Sequence, residues 1–322
     1  MKYISSAPGK VIVLGEYAVL AGKPAIAFAV NRRVIAEASF IEGNNCYLET
    51  VMPNLDNNSF KLGDRSGLAL VDLVISQFWQ SKKQAWSGKI DSSELYFHEN
   101  KLGLGSSSAV LLAWAKIFLN ELSLRELITI HRNFQNNLGS GIDLAVSKYG
   151  GIIVFKNCQD NEAEVDSVKF PSGIFFSIIY TGVPVLTKSF IINFNQWKAN
   201  NKKKYSERIT SLGDIIEKCC SAIRENDVKN FLQAISLYNS ELDNLGSEAG
   251  INIVSKEHRD ILVTAKKYDL DYKVSGSGGG DIGIVFSDDK EALEKFNLDV
   301  GEKYKIINLE VDYKGLDYME HD

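Results

Sequence analysis

The chain has little from which to build a metal centre or a disulfide framework. Its four cysteines, Cys46, Cys158, Cys219 and Cys220, form no C-x-x-C pair, and two of them are adjacent, which suits neither zinc nor a disulfide scaffold. The four histidines are scattered singly. No apolar run approaches the roughly 18 residues of a membrane span, and Met1 to Pro8 lacks the apolar core of a signal peptide. The expected setting is therefore a reducing cytoplasm, with no membrane partner. Positive charge is also scarce: 36 Lys and Arg against 41 Asp and Glu leave a net charge of -5. That balance argues against a nucleic-acid surface, so an anionic ligand must be caught by a few placed cations. There is no internal repeat and no low-complexity tract. The glycine- and serine-rich stretch at 101–110 is neither a Walker A loop, since no Gly-Lys-Ser/Thr follows its glycines, nor the Gly-x-Gly-x-x-Gly dinucleotide fingerprint.

What remains is an ordinary globular composition, 45% hydrophobic and 24% charged over 322 residues, with room for two packed domains. The N-terminus reads as strand (Tyr3 to Ser6), turn (Ala7 to Lys10) and strand (Val11 to Leu14), followed by further strands at Ala25 to Val30 and Arg33 to Ile41. Polar loops are expected near Asn44 and at 53–59, and Ser66 to Gln80 has helical spacing. Ser123 with Glu126 three residues on is a capping box, opening a helix to about Asn137. Composition turns polar over 157–164, and a domain boundary is placed near Pro171 to Gly173, giving domains 1–172 and 173–322. The second half reads as helices at about 205–226, 228–245 and 253–268 between strands Phe175 to Tyr180, Ile282 to Phe286 and 304–309, an α+β sandwich. Lys202 to Lys204 reads as a solvated helix face.

The informative stretch is Lys101-Leu-Gly-Leu-Gly-Ser-Ser-Ser-Ala-Val110, which runs into an apolar helical repeat ending near Leu119. Gly103 and Gly105 let a backbone approach a phosphate closely, the open amides and positive end of the helix face it, and the serine hydroxyls suit phosphate oxygens or Mg2+. Taken alone, the stretch is also compatible with a serine-rich helix cap. Asp143, set among small and apolar residues at the entry of a short helix, reads either as a reactive acid or as a complement to the helix dipole.

Three separated segments carry a joint signature. Pro8 to Leu20 (PGKVIVLGEYAVL), Gly103 to Ala109 (GLGSSSA) and Ser275 to Asp281 (SGSGGGD) stand in the order and approximate spacing of the three motifs of the GHMP kinases, which the chain resembles along essentially its whole length. Within that superfamily it most resembles the phosphomevalonate kinases, through His131-Arg-Asn-Phe-Gln135 followed by Gly139-Ser-Gly-Ile-Asp-Leu-Ala145, through Gly278-Gly-Gly-Asp281 before Ile282 and Gly283, and through Tyr180-Thr-Gly182 with Thr187. A mevalonate kinase would more typically show histidine where Tyr17 stands, and a magnesium-binding glutamate where Arg132 falls. That departure leaves a second metal contact unassigned.

The resemblance implies an α+β fold of two domains, an N-terminal ATP-binding domain with a left-handed β-α-β unit and a ferredoxin-like C-terminal domain. It implies ATP and Mg2+, and 5-phosphomevalonate as acceptor, in a monomer or homodimer. By the same resemblance, Asp143 and Lys10 are catalytic. Gly103, Leu104, Gly105, Ser106, Ser107 and Ser108 bind the nucleotide, with the Ser107 hydroxyl on Mg2+. Lys101, Glu16, Tyr17, Ser140, Gly141, Ser275, Gly278, Gly279 and Asp281 face the acceptor, and Lys101 is the leading cation for its phosphate, ahead of Arg132, Lys148 and Lys188. Lys10 also reads as a plain surface lysine, and the third motif as a tight strand connection. Competing readings are mevalonate kinase or another small-molecule GHMP kinase, a decarboxylating relative acting on the diphosphate, and a non-catalytic ATP- and metabolite-binding regulator. Presence of Lys10, Ser107 and Asp143 speaks against the regulator.

Overall fold

The computed structural model describes residues 1–53, 57–79, 84–119, 121–135, 139–157, 163–185 and 187–321. Cys158, the expected helix end at Asn137, the middle of the polar loop at 157–164 and the side chain of Lys188 lie outside the described residues.

Two long strands open the chain, β1 (Lys2–Leu14) and β2 (Ala25–Ile41), joined through a 3-10 turn at Ala18–Ala21. The expected turn at 7–10 is not a turn. β1 runs through it, with shifts of register against β2 between Pro8 and Gly9 and between Ile12 and Leu14. A proline cannot donate to the ladder, so an irregularity rather than a chain reversal is how the strand accommodates it. β2 is likewise one strand where the sequence suggested two. Its length lets it serve two neighbours.

β3 (Asn45–Val51), β4 (Asn58–Lys61), α1 (Ala69–Val74) with a π-helical turn at Ile75–Trp79, β5 (Ala85–Asp91) and a small hairpin, β6 (Tyr96–Phe97) and β7 (Asn100–Lys101), follow. Then come α2 (Ser106–Phe118), α3 (Leu124–Phe134), α4 (Ile142–Tyr149), β8 (Ile152–Lys156) and β9 (Glu164–Val168). The expected capping box is present, Ser123 accepting from the Glu126 amide at the start of α3. The second half holds β10 (Phe175–Tyr180), α5 (Thr187–Asn200), α6 (Lys202–Glu225), α7 (Val228–Ala249), α8 (Lys256–Lys267), β11 (Asp271–Ser275), β12 (Ile282–Ser287), α9 (Lys290–Gly301), β13 (Lys305–Ile307) and β14 (Asp317–His321).

The large sheet has the order β14-β1-β2-β5-β3-β4, with β8 on the first residues of β2 and β9 beyond it. β3 and β5 pair in parallel, joined through β4 and α1. α2 lies across β1 and β2 and is buried nearly all round, from Ser108 to Ala115 and at Ile117 and Phe118, as its unbroken apolar run requires. The smaller sheet is antiparallel, in the order β11-β12-β10-β13. Its first strand lies between its third and fourth, with helices in the two crossovers, which is the ferredoxin-like split β-α-β arrangement. The division at 172/173 falls between β9 and β10, which lie in different sheets. One strand crosses back: β14 pairs with β1, Lys2 opposite His321 through Ser6 opposite Asp317.

A polar seam joins β1 to β11. The Ser275 hydroxyl accepts from the Ile12 amide at 3.2 Å and donates to the Ile12 carbonyl at 3.0 Å, and Tyr238 from α7 donates to the Glu16 carbonyl at 2.8 Å. These bonds fix the first motif against the third.

Candidate active site

The three glycine-bearing segments meet at one place. The Lys10 amide donates to the Leu104 carbonyl at 2.9 Å, and Lys10 Nζ lies 3.3 Å from the Gly103 carbonyl. A β-carbon at position 105 would stand 3.0 Å from Lys10 Cγ and Cε, and one at position 103 would stand 2.9 Å from Asp281 Cβ. Both glycines also have positive φ, 74° and 76°. The Gly103 to Ser108 loop is thus held between the first and third motifs by contacts that leave no room for side chains.

Beyond Gly105, α2 begins with no side-chain cap. The amides of Ser108 and Ala109 bond the Gly105 carbonyl, at 3.1 and 3.2 Å, while those of Ser106 and Ser107 have no backbone partner among the described residues. Open amides at the positive end of a helix form an anion site. Ser107 Oγ lies 3.1 Å from His131 Nε2. Burial pushes the His131 imidazole below its ordinary value, against the pull of Asp143, so the ring is held neutral. A Ser107 hydroxyl donating to that ring keeps its oxygen lone pairs for a cation. Ser108 is different: its hydroxyl is fully buried and has no hydrogen-bond partner among the described residues.

Asp143 stands in the first turn of α4, which Gly141 enters at φ 95°. Gly141 is there for packing, since a β-carbon would come within 2.6 Å of Ile128. Lys10 Nζ lies 3.7 Å from Asp143 Oδ1, the lysine buried and the carboxylate 31% exposed. The expected catalytic pair is therefore a pair in space, one member shielded and the other open. No group of three His, Cys, Asp or Glu side chains gathers as a metal cage among the described residues. Ser107 and Asp143 suit an ion that arrives with phosphate oxygens and keeps its own waters, as Mg2+ does.

Lys10 and Asp143 also line a cavity of about 600 Å³. Glu16, Tyr17, Ser140, Gly276 and Ser277 line it, together with Phe190, Phe194, Asn195, Lys198 and Tyr205 from α5 and the start of α6, and Arg132 from α3. Lys101, the Gly103 to Ser108 loop and Asp281 are not in its lining. Lys101 is exposed on β7, and its charge, with that of Lys10, opposes the upward push of burial on the Asp281 carboxyl. Lys148 donates to the Leu122 carbonyl and is not in the lining either.

Glu16 is not free to grip a ligand with both oxygens. Its Oε1 lies 2.6 Å from Lys273 Nζ and accepts from the Gly276 amide at 3.2 Å. Burial raises the Glu16 pKa and lowers that of Lys273, each opposed by the partner's charge. Tyr17, at φ 63°, donates to the Ser277 carbonyl at 2.7 Å and packs on Phe194. Gly278 and Gly279 are spent on packing, a β-carbon meeting Ile253 at 2.5 Å in one case and Phe190 at 2.5 Å in the other. His258, below this loop, is buried between the Gly280 carbonyl at 3.0 Å and the Tyr272 hydroxyl at 2.5 Å.

Sequence reasoning missed Lys273 and the α5 wall. The signal for Lys273 was a single lysine inside the apolar strand Tyr272 to Val274, where a cation needs a buried partner. For Lys198 and Phe194 the sequence held no signal beyond helical spacing.

Residues 220–306 match the family model described as GHMP kinases C terminal. Along the chain, the protein is 26% identical to a phosphomevalonate kinase of Streptomyces sp. (strain CL190), over 88% of this chain and 90% of that one. It is 25% identical to a mevalonate kinase of Thermococcus sibiricus, over 91% of each. Among solved structures, a Lin0012 protein from Listeria innocua superposes with a TM-score of 0.88 over the full length of both chains at 25% identity. A Streptococcus pneumoniae phosphomevalonate kinase in complex with phosphomevalonate and AMPPNP shares the fold, with a TM-score of 0.80 over 96% of this chain and 99% of that one at 17% identity. The second half therefore carries a GHMP kinases C-terminal domain, and along its whole length the chain is similar to ATP-dependent small-molecule kinases of the GHMP superfamily.

Proposed function

We propose that the chain is a phosphomevalonate kinase of the mevalonate pathway, transferring the γ-phosphoryl group of ATP to the phosphate of 5-phosphomevalonate and releasing ADP. One observation carries the reading: Lys10, paired with Asp143, touches the open-amide loop, and both residues line a cavity that also holds the cations Arg132 and Lys198. Donor and acceptor would then meet at the catalytic pair. The relatives named phosphomevalonate kinase and mevalonate kinase support the pathway. A cytoplasmic setting belongs to the same proposal, supported by Cys46, Cys219 and Cys220 being free thiols. So does the division into an ATP-binding domain at 1–172 and a C-terminal domain at 173–322.

Phosphoryl transfer passes through a loose transition state, so the protein supplies alignment and charge rather than covalent chemistry. The Ser106 and Ser107 amides would hold the nucleotide phosphates, and the Ser107 hydroxyl and Asp143 would hold Mg2+, which neutralises the phosphate oxygens. Lys10 faces the transferring group from a buried position, where its charge is weakly screened. Asp143 would take any proton left on the attacking oxygen or stabilise it electrostatically. The test is ADP release with Mg2+-ATP and either mevalonate, 5-phosphomevalonate or no acceptor. Turnover with 5-phosphomevalonate alone supports the proposal, turnover with mevalonate moves the protein one step along the pathway, and turnover with neither overturns it.

A further inference from the structure

The charges lining the cavity do not balance. Two carboxylates line it, and both are engaged: Asp143 with Lys10 at 3.7 Å and Glu16 with Lys273 at 2.6 Å. Arg132 and Lys198 also line it, and neither has a carboxylate within ion-pair distance among the described residues. They come from different helices, α3 and α5. Lys198, on α5, rests its ammonium 4.5 Å from the Tyr205 ring centre at the exposed rim. Arg132, on α3, is half-buried, and its Nε donates to the Gly139 carbonyl at 2.8 Å, in the turn that leads to Asp143. That bond aims the guanidinium and leaves its two terminal nitrogens without a hydrogen-bond partner among the described residues. A planar fork held by its inner nitrogen is preorganised for two parallel bonds to a phosphate.

We propose that Arg132 is a specificity-determining residue: its guanidinium receives the phosphate of a phosphorylated acceptor beside Asp143, while Lys198 meets the acceptor's carboxylate at the rim. This rests on the acceptor reading proposed above. The two anions of one small acceptor would then be held from two helices, with the apolar stem against Phe194. Uncompensated positive charge on both helices is what a dianionic or trianionic acceptor requires, and a neutral sugar would leave it unpaired. Lys101, outside the lining, has no part in this subsite.

The experiment compares wild type, Arg132→Met, Arg132→Lys and Lys198→Met, each checked for an unchanged unfolding midpoint, in steady-state kinetics with 5-phosphomevalonate, mevalonate and ATP varied in turn. Arg132→Met should raise the KM for 5-phosphomevalonate about tenfold or more, the loss of a charge-assisted hydrogen bond. The inhibition constant of mevalonate, read as a competitor of 5-phosphomevalonate, should move far less, and Arg132→Lys should recover part of the loss. Lys198→Met should weaken both acceptors alike. An Arg132→Met enzyme whose acceptor KM is unchanged, or whose KM values for ATP and acceptor rise together, overturns the proposal. Should wild type turn over neither acceptor, the functional reading fails by itself. The subsite is then read from inorganic phosphate titrated into protein saturated with AMPPNP: weaker binding in Arg132→Met sustains it, and equal or absent binding in both proteins overturns it.

Discussion

Lys273 Nζ and Glu16 Oε1 meet at 2.6 Å in a space closed to solvent, tying the turn after the first motif to the strand that leads into the third. Removing one partner leaves the other charge buried alone, so Lys273→Met should lower the unfolding free energy by about 3–5 kcal/mol. Replacing both, as Lys273→Met with Glu16→Gln, should lose clearly less than the single substitution. Chemical denaturation of the three proteins measures this. Equal losses in the single and double variants would mean that the pair does not act as a unit.

Asp143 is exposed enough to reach a ligand and holds no part of the core together. Asp143→Asn should therefore lower kcat by about 10²–10⁴-fold, the range of a positioned proton acceptor, with the thermal midpoint unchanged. Near wild-type turnover would remove it from the mechanism.

Gly105→Ala combines a φ of 76° with a β-carbon 3.0 Å from two Lys10 carbons. The left-handed conformation alone costs about 1–2 kcal/mol for a residue with a side chain, and the crowding displaces the lysine that faces Asp143. We expect a fall in kcat larger than the fall in stability suggests. Rates and melting curves on the same preparation separate the two effects.

Lys101 is exposed, acts electrostatically on Asp281 and is outside the lining of the cavity. Lys101→Ala should accordingly raise the KM for ATP more than the KM for the acceptor. The opposite ranking would return Lys101 to the acceptor phosphate, the role that the sequence alone suggested.

His258 predicts a pH dependence of stability. A carbonyl only accepts, so Nε2 carries the proton toward Gly280, and Nδ1 accepts from the Tyr272 hydroxyl. Burial pushes this imidazole down to about 4, from 6.5. The unfolded chain therefore binds the proton over a range in which the folded chain refuses it. Stability from this group is fully present above the unfolded value and is lost as the pH falls toward 4, a loss of about 3 kcal/mol at most. Unfolding midpoints of wild type and His258→Gln between pH 7 and 4 test it, the variant showing the shallower decline.

How far the sequence could be read follows from the range of each interaction. The loop before α2, the Ser123 cap of α3 and the entry to α4 were legible because local chemistry sets them: glycines, a serine accepting from an amide, an apolar repeat. The continuity of β1 was hidden, because Pro8-Gly9 has the composition of a turn and only pairing with β2 distinguishes a bulge from a reversal. Lys273 was hidden because its partner lies 257 residues away in the chain. Arg132 was ranked behind Lys101 because spacing gives no account of which cations line the cavity. Strand β14 has no apolar face to announce it, with Glu320 and His321 exposed, and it is recognisable only by its partner.

That same strand has a consequence for how the protein is made. The edge of β1 stays open until residues 317–321 have left the ribosome, long after every other strand of the large sheet has emerged. Until then a nascent chain displays an unpaired strand edge, which favours annealing between neighbouring chains. Residues 317–321 thus close an edge that β1 would otherwise leave open, and deleting them should cost yield before it costs catalysis.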